Sequence, residues 1–195
     1  MNICIFGASS EKIDQKYFDA AYELGATLAK QGDGLVFGGG KYGVMGACAR
    51  AFHDNGAFIL GVAPYFMEQY NVLYEDCTQF KMTHTMAERK TYMEDKADAF
   101  IIAPGGIGTY EEFFEVFTLK QLGRHRKPIV IFNAFGYYDD MLKMLQYTID
   151  EAFLVPASTN LIGVCNDVDE VINYLNNYVP ESANVSKLRY DPDED

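Results

Sequence analysis

The sequence predicts an α/β fold of the doubly wound, Rossmann-like kind: one parallel sheet with helices on both faces, in a single domain. Three observations carry this. The strand-like segments are continuous apolar runs instead of alternating ones, the pattern of strands buried on both faces. Most of these runs stop abruptly at glycine or other small residues, where a tight loop must begin. Helical patterns interleave with the runs along the chain, as a parallel sheet requires.

In order, Asn2-Ile3-Cys4-Ile5-Phe6 reads as a buried strand ending at Gly7-Ala8-Ser9-Ser10. A helix is expected from Lys16 to Lys30. Leu35-Val36-Phe37 is a second strand running into glycines, followed by a helix over Met45 to His53 and a strand over Phe58 to Val62. Thr85 to Lys96 reads as a helix, and Ala99 to Ala103 as a strand. A helix from Thr109 to Leu122, a strand over Ile129 to Phe132 and a helix from Asp139 to Ala152 come next. Leu161 to Val164 is a last short strand and Asp167 to Tyr178 a last helix. No linker, repeat or low-complexity stretch interrupts this, so residues 1–179 are expected to form the domain. Residues 180–195, with Asp191, Asp193, Glu194 and Asp195, read as an acidic, flexible tail.

The 195 residues are 49% hydrophobic, enough for one sizeable core. A net charge of −12 works against nucleic acid polymers and anionic membranes, whose binding begins with neutralised phosphates. A single nucleotide can still bind in a local pocket. Cys4, Cys48, Cys77 and Cys165 form no C-x-x-C pair and follow no secretory-type leader, so reduced structural thiols and a cytoplasmic location are expected. No apolar run approaches the roughly 20 residues that span a bilayer. His53, His84 and His125 lack metal-ligand spacing and no nucleophile elbow occurs. Neither a metal nor an organic cofactor is expected.

Ligands of open α/β sheets bind beyond the carboxyl ends of the strands, which directs attention to three loops. Gly7-Ala8-Ser9-Ser10 offers amides and hydroxyls, but an ordinary strand-to-helix turn would look the same. Gly38-Gly39-Gly40-Lys41-Tyr42-Gly43-Val44-Met45-Gly46 contains G-x-G-x-x-G. The ribose-binding acid that a dinucleotide site needs about 20 residues on is missing after Gly61-Val62-Ala63-Pro64, which disfavours a nicotinamide oxidoreductase. The third loop is Pro104-Gly105-Gly106-Ile107-Gly108-Thr109-Tyr110-Glu111-Glu112. Its glycines expose amides at a helix start, where the macrodipole favours an anion such as phosphate. Thr109 and Glu112 also have the spacing of a capping box, in which each side chain would satisfy a backbone donor.

The P-G-G-x-G-T-x-x-E run from Pro104 to Glu112 resembles the signature of the Lonely Guy family, long mislabelled as lysine decarboxylases. The likeness extends to the I-C-x-F-x-x-S-S opening, to Gly38–Gly46, to Met86-Ala87-Glu88-Arg89-Lys90, and to Lys127-Pro128 through Gly136-Tyr137-Tyr138-Asp139, covering about residues 1 to 178. The resemblance implies hydrolysis of cytokinin riboside 5′-monophosphates, and of AMP, to free base and ribose 5-phosphate, by a homodimer with its active sites at the subunit interface. It places the catalytic pair on Arg89 and Glu112. Substrate contacts carry over to Lys90, to Gly105, Gly106, Ile107, Gly108, Thr109, Tyr110 and Glu111, to Thr118, and by distance from the arginine to Glu75. Ser9, Gly39, Gly40 and Met86 complete the expected binding set. The alternative is a nucleotide or molybdenum-cofactor carrier without turnover, against which the intact Arg89 and Glu112 argue.

On the helix after Thr85, Met86, Met93 and Ala97 are expected to form an inward stripe, interrupted by Arg89 and Lys90. Buried cations need anionic partners. A substrate phosphate or Glu112 would supply them, and Arg89 would orient Glu112 and keep it ionised. An aromatic content of 14% exceeds what one small core needs, which also points to a subunit contact.

Overall fold

The computed structural model describes residues 1–180; the expected acidic tail lies outside the described residues apart from Pro180. Seven strands form one sheet: β1 (Asn2–Phe6), β2 (Gly34–Phe37), β3 (Ile59–Pro64), β4 (Gln79–Thr83), β5 (Ala99–Ile102), β6 (Ile129–Phe132) and β7 (Gly163–Cys165). Every pairing is parallel and the order is β4-β3-β2-β1-β5-β6-β7. The helices are α1 (Gln15–Lys30), α2 (Gly43–Asp54), α3 (Met86–Lys96), α4 (Ile107–Gln121), α5 (Asp139–Asp150) and α6 (Val168–Asn176).

Strand side chains alternate between two cores. Ile3, Ile5, Leu35, Phe37, Ile101 and Phe132 face one layer with Leu24 and Leu28 of α1, Phe52 of α2 and Val171 of α6. Cys4, Phe6, Val36, Phe100, Ile102 and Ile131 face the other, with Met93 of α3, Phe113 and Phe117 of α4 and Leu145 of α5. Each such fully buried Leu, Ile or Phe contributes about 1.5–3 kcal/mol of transfer free energy. Continuous burial on both faces explains why the strands read as unbroken apolar runs.

β4 is the element the apolar-run criterion misses. As an edge strand it has β3 as its only neighbour among the described residues, its Gln79 and Lys81 are exposed, and its Phe80 and Met82 are half-buried, so no apolar run marks it. Two helices also begin earlier than expected. α2 starts at Gly43 and α4 at Ile107, because glycines that read as loop are taken into the first turn.

The chain leaves β1 in one direction toward β4 and returns beside it as β5, making a topological switch point between β1 and β5. The loops after these strands and β2 therefore converge, where such sheets bind ligands. All four cysteines are free thiols, and no helix among the described residues is long and apolar enough to cross a membrane.

Candidate active site

At the switch point lies a cleft of about 430 Å³. Gly7, Ala8 and Ser9 after β1, Gly38, Gly40, Tyr42 and Met45 after β2, and Gly106–Thr109 with Glu111 and Glu112 after β5 form its walls. Met86 and Arg89 of α3, and Met67 and Val72 from the segment between β3 and β4, close it. Another hollow of about 490 Å³ lies at the amino ends of the strands, around Asn2, Gly34 and Asp98, the wrong end of the sheet for a parallel α/β site.

Arg89 is 6% exposed and Glu112 9%, so a cation and an anion are buried together at the cleft. Arg89 Nη1 donates to Glu112 Oε1 at 2.9 Å, and Arg89 Nε donates to the Val62 carbonyl at 3.0 Å. Gly38 makes room for the guanidinium: a Cβ there would fall 2.0 Å from Arg89 Nη2. Such a pair is costly to break, since removing one partner strands the other charge at about 3–5 kcal/mol. Burial raises the Glu112 carboxyl above its ordinary range, and the neighbouring guanidinium opposes this in part. Arg89 acts in the expected direction, and desolvation, which the sequence does not show, outweighs it.

The capping-box alternative for Glu112 does not hold. α4 begins at Ile107 with Gly106 as its N-cap, which makes Glu112 the sixth helical residue, past reach of the N-cap amide. Thr109 is buried in the first turn, its hydroxyl against Gly105. The opening amides of an α-helix lack intrahelical partners, and here they belong to a stretch in which Gly106 and Gly108 have open space around them. An anion fits there.

A family profile described as "Possible lysine decarboxylase" matches residues 45–175. The cytokinin riboside 5'-monophosphate phosphoribohydrolase LOG7 of Arabidopsis thaliana is 38% identical over 190 residues, 97% of this chain and 88% of its own length. The chain belongs to the Lonely Guy family. LOG of Oryza sativa subsp. japonica is likewise 38% identical, over 92% of this chain and 74% of its own length. Among solved structures, the molybdenum cofactor binding protein of Rippkaea orientalis aligns with TM-score 0.69 at 18% identity, over 90% of this chain and 95% of that one. The molybdenum cofactor carrier protein of Chlamydomonas reinhardtii gives 0.68 at 20%, over 89% and 94%. At those identities the likeness is one of fold.

The remaining residues of the Lonely Guy motifs divide into two groups. Ser9, Gly40, Met86, Gly106, Ile107, Gly108, Thr109 and Glu111 line the cleft with the buried pair. Met86 is 40% exposed, so the inward stripe of α3 is Met93, Ala97 and Arg89 without it. Outside the cleft, Lys90 pairs with Glu111 and lies 2.7 Å from Glu115. Glu75 borders an adjoining hollow with Lys41 and Arg50, which shares Tyr42 with the cleft. Thr118 is exposed further along α4, and Tyr110 packs edge-on to Tyr138. Gly39 (φ 72°) lies against Phe80, and the Gly105 carbonyl accepts the Tyr137 hydroxyl. Gly7, Ala8, Gly38, Tyr42 and Met45 belong to the two loops that the sequence singled out, though not to the expected binding set, whereas Met67 and Val72 were missed altogether. Gly38 was visible as the first glycine of the fingerprint; Met67 and Val72 carry no local signal.

Proposed function

We propose that this Lonely Guy protein hydrolyses the N-glycosidic bond of purine nucleoside 5′-monophosphates, of cytokinin ribosides or adenosine, to free base and ribose 5-phosphate. The observation that carries the reading is the buried Arg89–Glu112 pair set beside the open first turn of α4. The 5′-phosphate binds the amides of Gly106–Gly108, which fixes the ribose across the cleft. Glu112 then faces C1′.

Cleavage takes the C1′–N bonding pair onto the base, which acquires a proton, and leaves oxocarbenium character on the ribose. Glu112 stabilises that cation and aligns the attacking water, whose oxygen forms the new C1′–O bond as it gives up a proton that balances the one gained by the base. Arg89, braced on Val62, holds the carboxylate in place. The cleft volume of about 430 Å³ suits a mononucleotide, within the range of small-molecule sites.

The protein works as a cytoplasmic homodimer with active sites at the interface. Lys90, Thr118 and Glu75 lie outside one chain's cleft, in keeping with a site completed by a second subunit. Light scattering should give a mass near twice 21.9 kDa. The deciding experiment is chromatography of products after incubation with AMP, GMP, CMP, UMP and isopentenyl-adenosine monophosphate. Free purine base and ribose 5-phosphate are expected; intact nucleotide throughout would leave a carrier. Equal kcat/KM for AMP and adenosine would remove the role of the phosphate.

A further inference from the structure

Beyond β6 the backbone turns against its own preferences. Phe135 holds φ 58°, rare for a bulky residue, and Gly136 follows at φ 71°. Asn133 pins this turn: its Oδ1 accepts the Tyr138 amide at 2.7 Å and its Nδ2 donates to Asp139 at 2.9 Å. The effect is to send two consecutive tyrosines to one loop. The Tyr138 hydroxyl donates to the Ala103 carbonyl at 2.7 Å, and the Tyr137 hydroxyl to the Gly105 carbonyl at 2.7 Å. Between them, the Pro104 carbonyl accepts the Ala8 amide at 3.0 Å.

Three successive carbonyls are thus each held by a fixed donor. A trans peptide is planar, with its N–H opposite its C=O, so fixing the Gly105 carbonyl fixes the direction of the Gly106 N–H. That N–H points away from Tyr137, and Gly106 borders the cleft. Pro104 has no N–H, so the bond to the Ala103 carbonyl steers the chain, while the Tyr138 oxygen also interacts with the Gly105 backbone. Both phenols are pushed above their ordinary range, first by burial, and remain protonated donors at working pH.

The geometry points to Tyr137 and Tyr138 as positioning residues that preorganise the phosphate-binding loop through the carbonyls of Gly105 and Ala103. The inference rests on the proposed reading of Gly106–Gly108 as the seat of the 5′-phosphate. Neither tyrosine borders the cleft, so both act through the loop.

Tyr137→Phe is the cleanest probe. It keeps the ring contacts with Tyr17 and Tyr138, at 5.6 and 4.9 Å, and removes the hydroxyl with its bond to Gly105 and its interaction with Tyr110. Calorimetry should show ribose 5-phosphate binding weakened about fivefold to tenfold, the loss of roughly one hydrogen bond. KM for AMP should rise by a similar factor with kcat changed less, while adenosine turnover stays within about twofold. Tyr138→Phe, which strands a buried carbonyl, should weaken ribose 5-phosphate binding in the same direction with a lower Tm. Unchanged ribose 5-phosphate affinity in folded Tyr137→Phe overturns the inference, as does an equal loss toward adenosine. A wild-type protein that binds ribose 5-phosphate but releases no base from AMP removes the hydrolase reading and leaves the positioning role intact.

Discussion

The chain contains the pattern Thr-x-x-Glu at two helix starts, and it does different work at each. At α3, Thr85 is the N-cap: its Oγ1 accepts the Glu88 amide at 3.1 Å, and Glu88 Oε2 accepts the His84 amide at 2.8 Å. Both side chains are exposed and spend their hydrogen bonds on backbone. At α4, Thr109 and Glu112 are buried and the glutamate is paired with Arg89. The difference lies in what precedes the threonine. Gly106-Ile107-Gly108 lets α4 begin two residues early, so Thr109 is already inside the helix and Glu112 has rotated off the cap toward the cleft. A four-residue spacing therefore does not define a capping box; the residue at which the helix starts does.

The sharpest way to break this comparison is to neutralise each glutamate in turn. Glu112→Gln should lose about two or more orders of magnitude in kcat with its fold retained, because an amide cannot stabilise an oxocarbenium ion as a carboxylate does. Arg89→Ala should lose a similar amount, and the double variant should be little worse than either. Base release and thermal melts on all three would decide it, and near-normal turnover by folded Glu112→Gln would overturn the assignment. At the other helix, Thr85→Ala should cost about 1 kcal/mol, lowering Tm by roughly 2–4 °C, with turnover preserved.

A smaller effect sharpens the contrast along the contact between the two helices. At one end α3 and α4 meet through opposite charges, Arg89 and Glu112. Further along, Glu94 and Glu115 approach each other near Lys90, and burial first, then the Glu115 charge, push the Glu94 carboxyl from 4.5 up to about 7. The fold thus favours protonated Glu94. That stabilisation is complete below the ordinary carboxylate range and is lost as pH rises toward 7. Glu94→Gln should therefore raise Tm relative to the wild type at pH 8, with the gain vanishing as pH falls below about 4.5. A gain independent of pH would show that charge is not its origin.

The sheet was legible because five of its strands, β1, β2, β3, β5 and β6, are buried on both faces and advertise it as apolar runs. β4 was not, since an edge strand needs no such run. The glycine loop was legible as residues, and the Arg89–Glu112 contact was expected from the need of a buried cation for an anion, but a 23-residue separation says nothing of its 2.9 Å geometry. Desolvation was hidden: the lowering of the Glu112 carboxyl by Arg89 was expected, and burial outweighs it. Met67 and Val72 reach the cleft from a segment whose local pattern is that of a surface turn.

The bracing of Arg89 has a consequence for how the protein matures. Its guanidinium bonds to Val62, 27 residues before it in the chain, and to Glu112, 23 residues after it. No local stretch contains the pair, and contacts at such separations form only once distant segments have docked. A chain with its helices formed but the sheet unassembled would have helical content and no site. Turnover in this protein is consequently a reporter of completed folding, and a partly folded population contributes nothing to it.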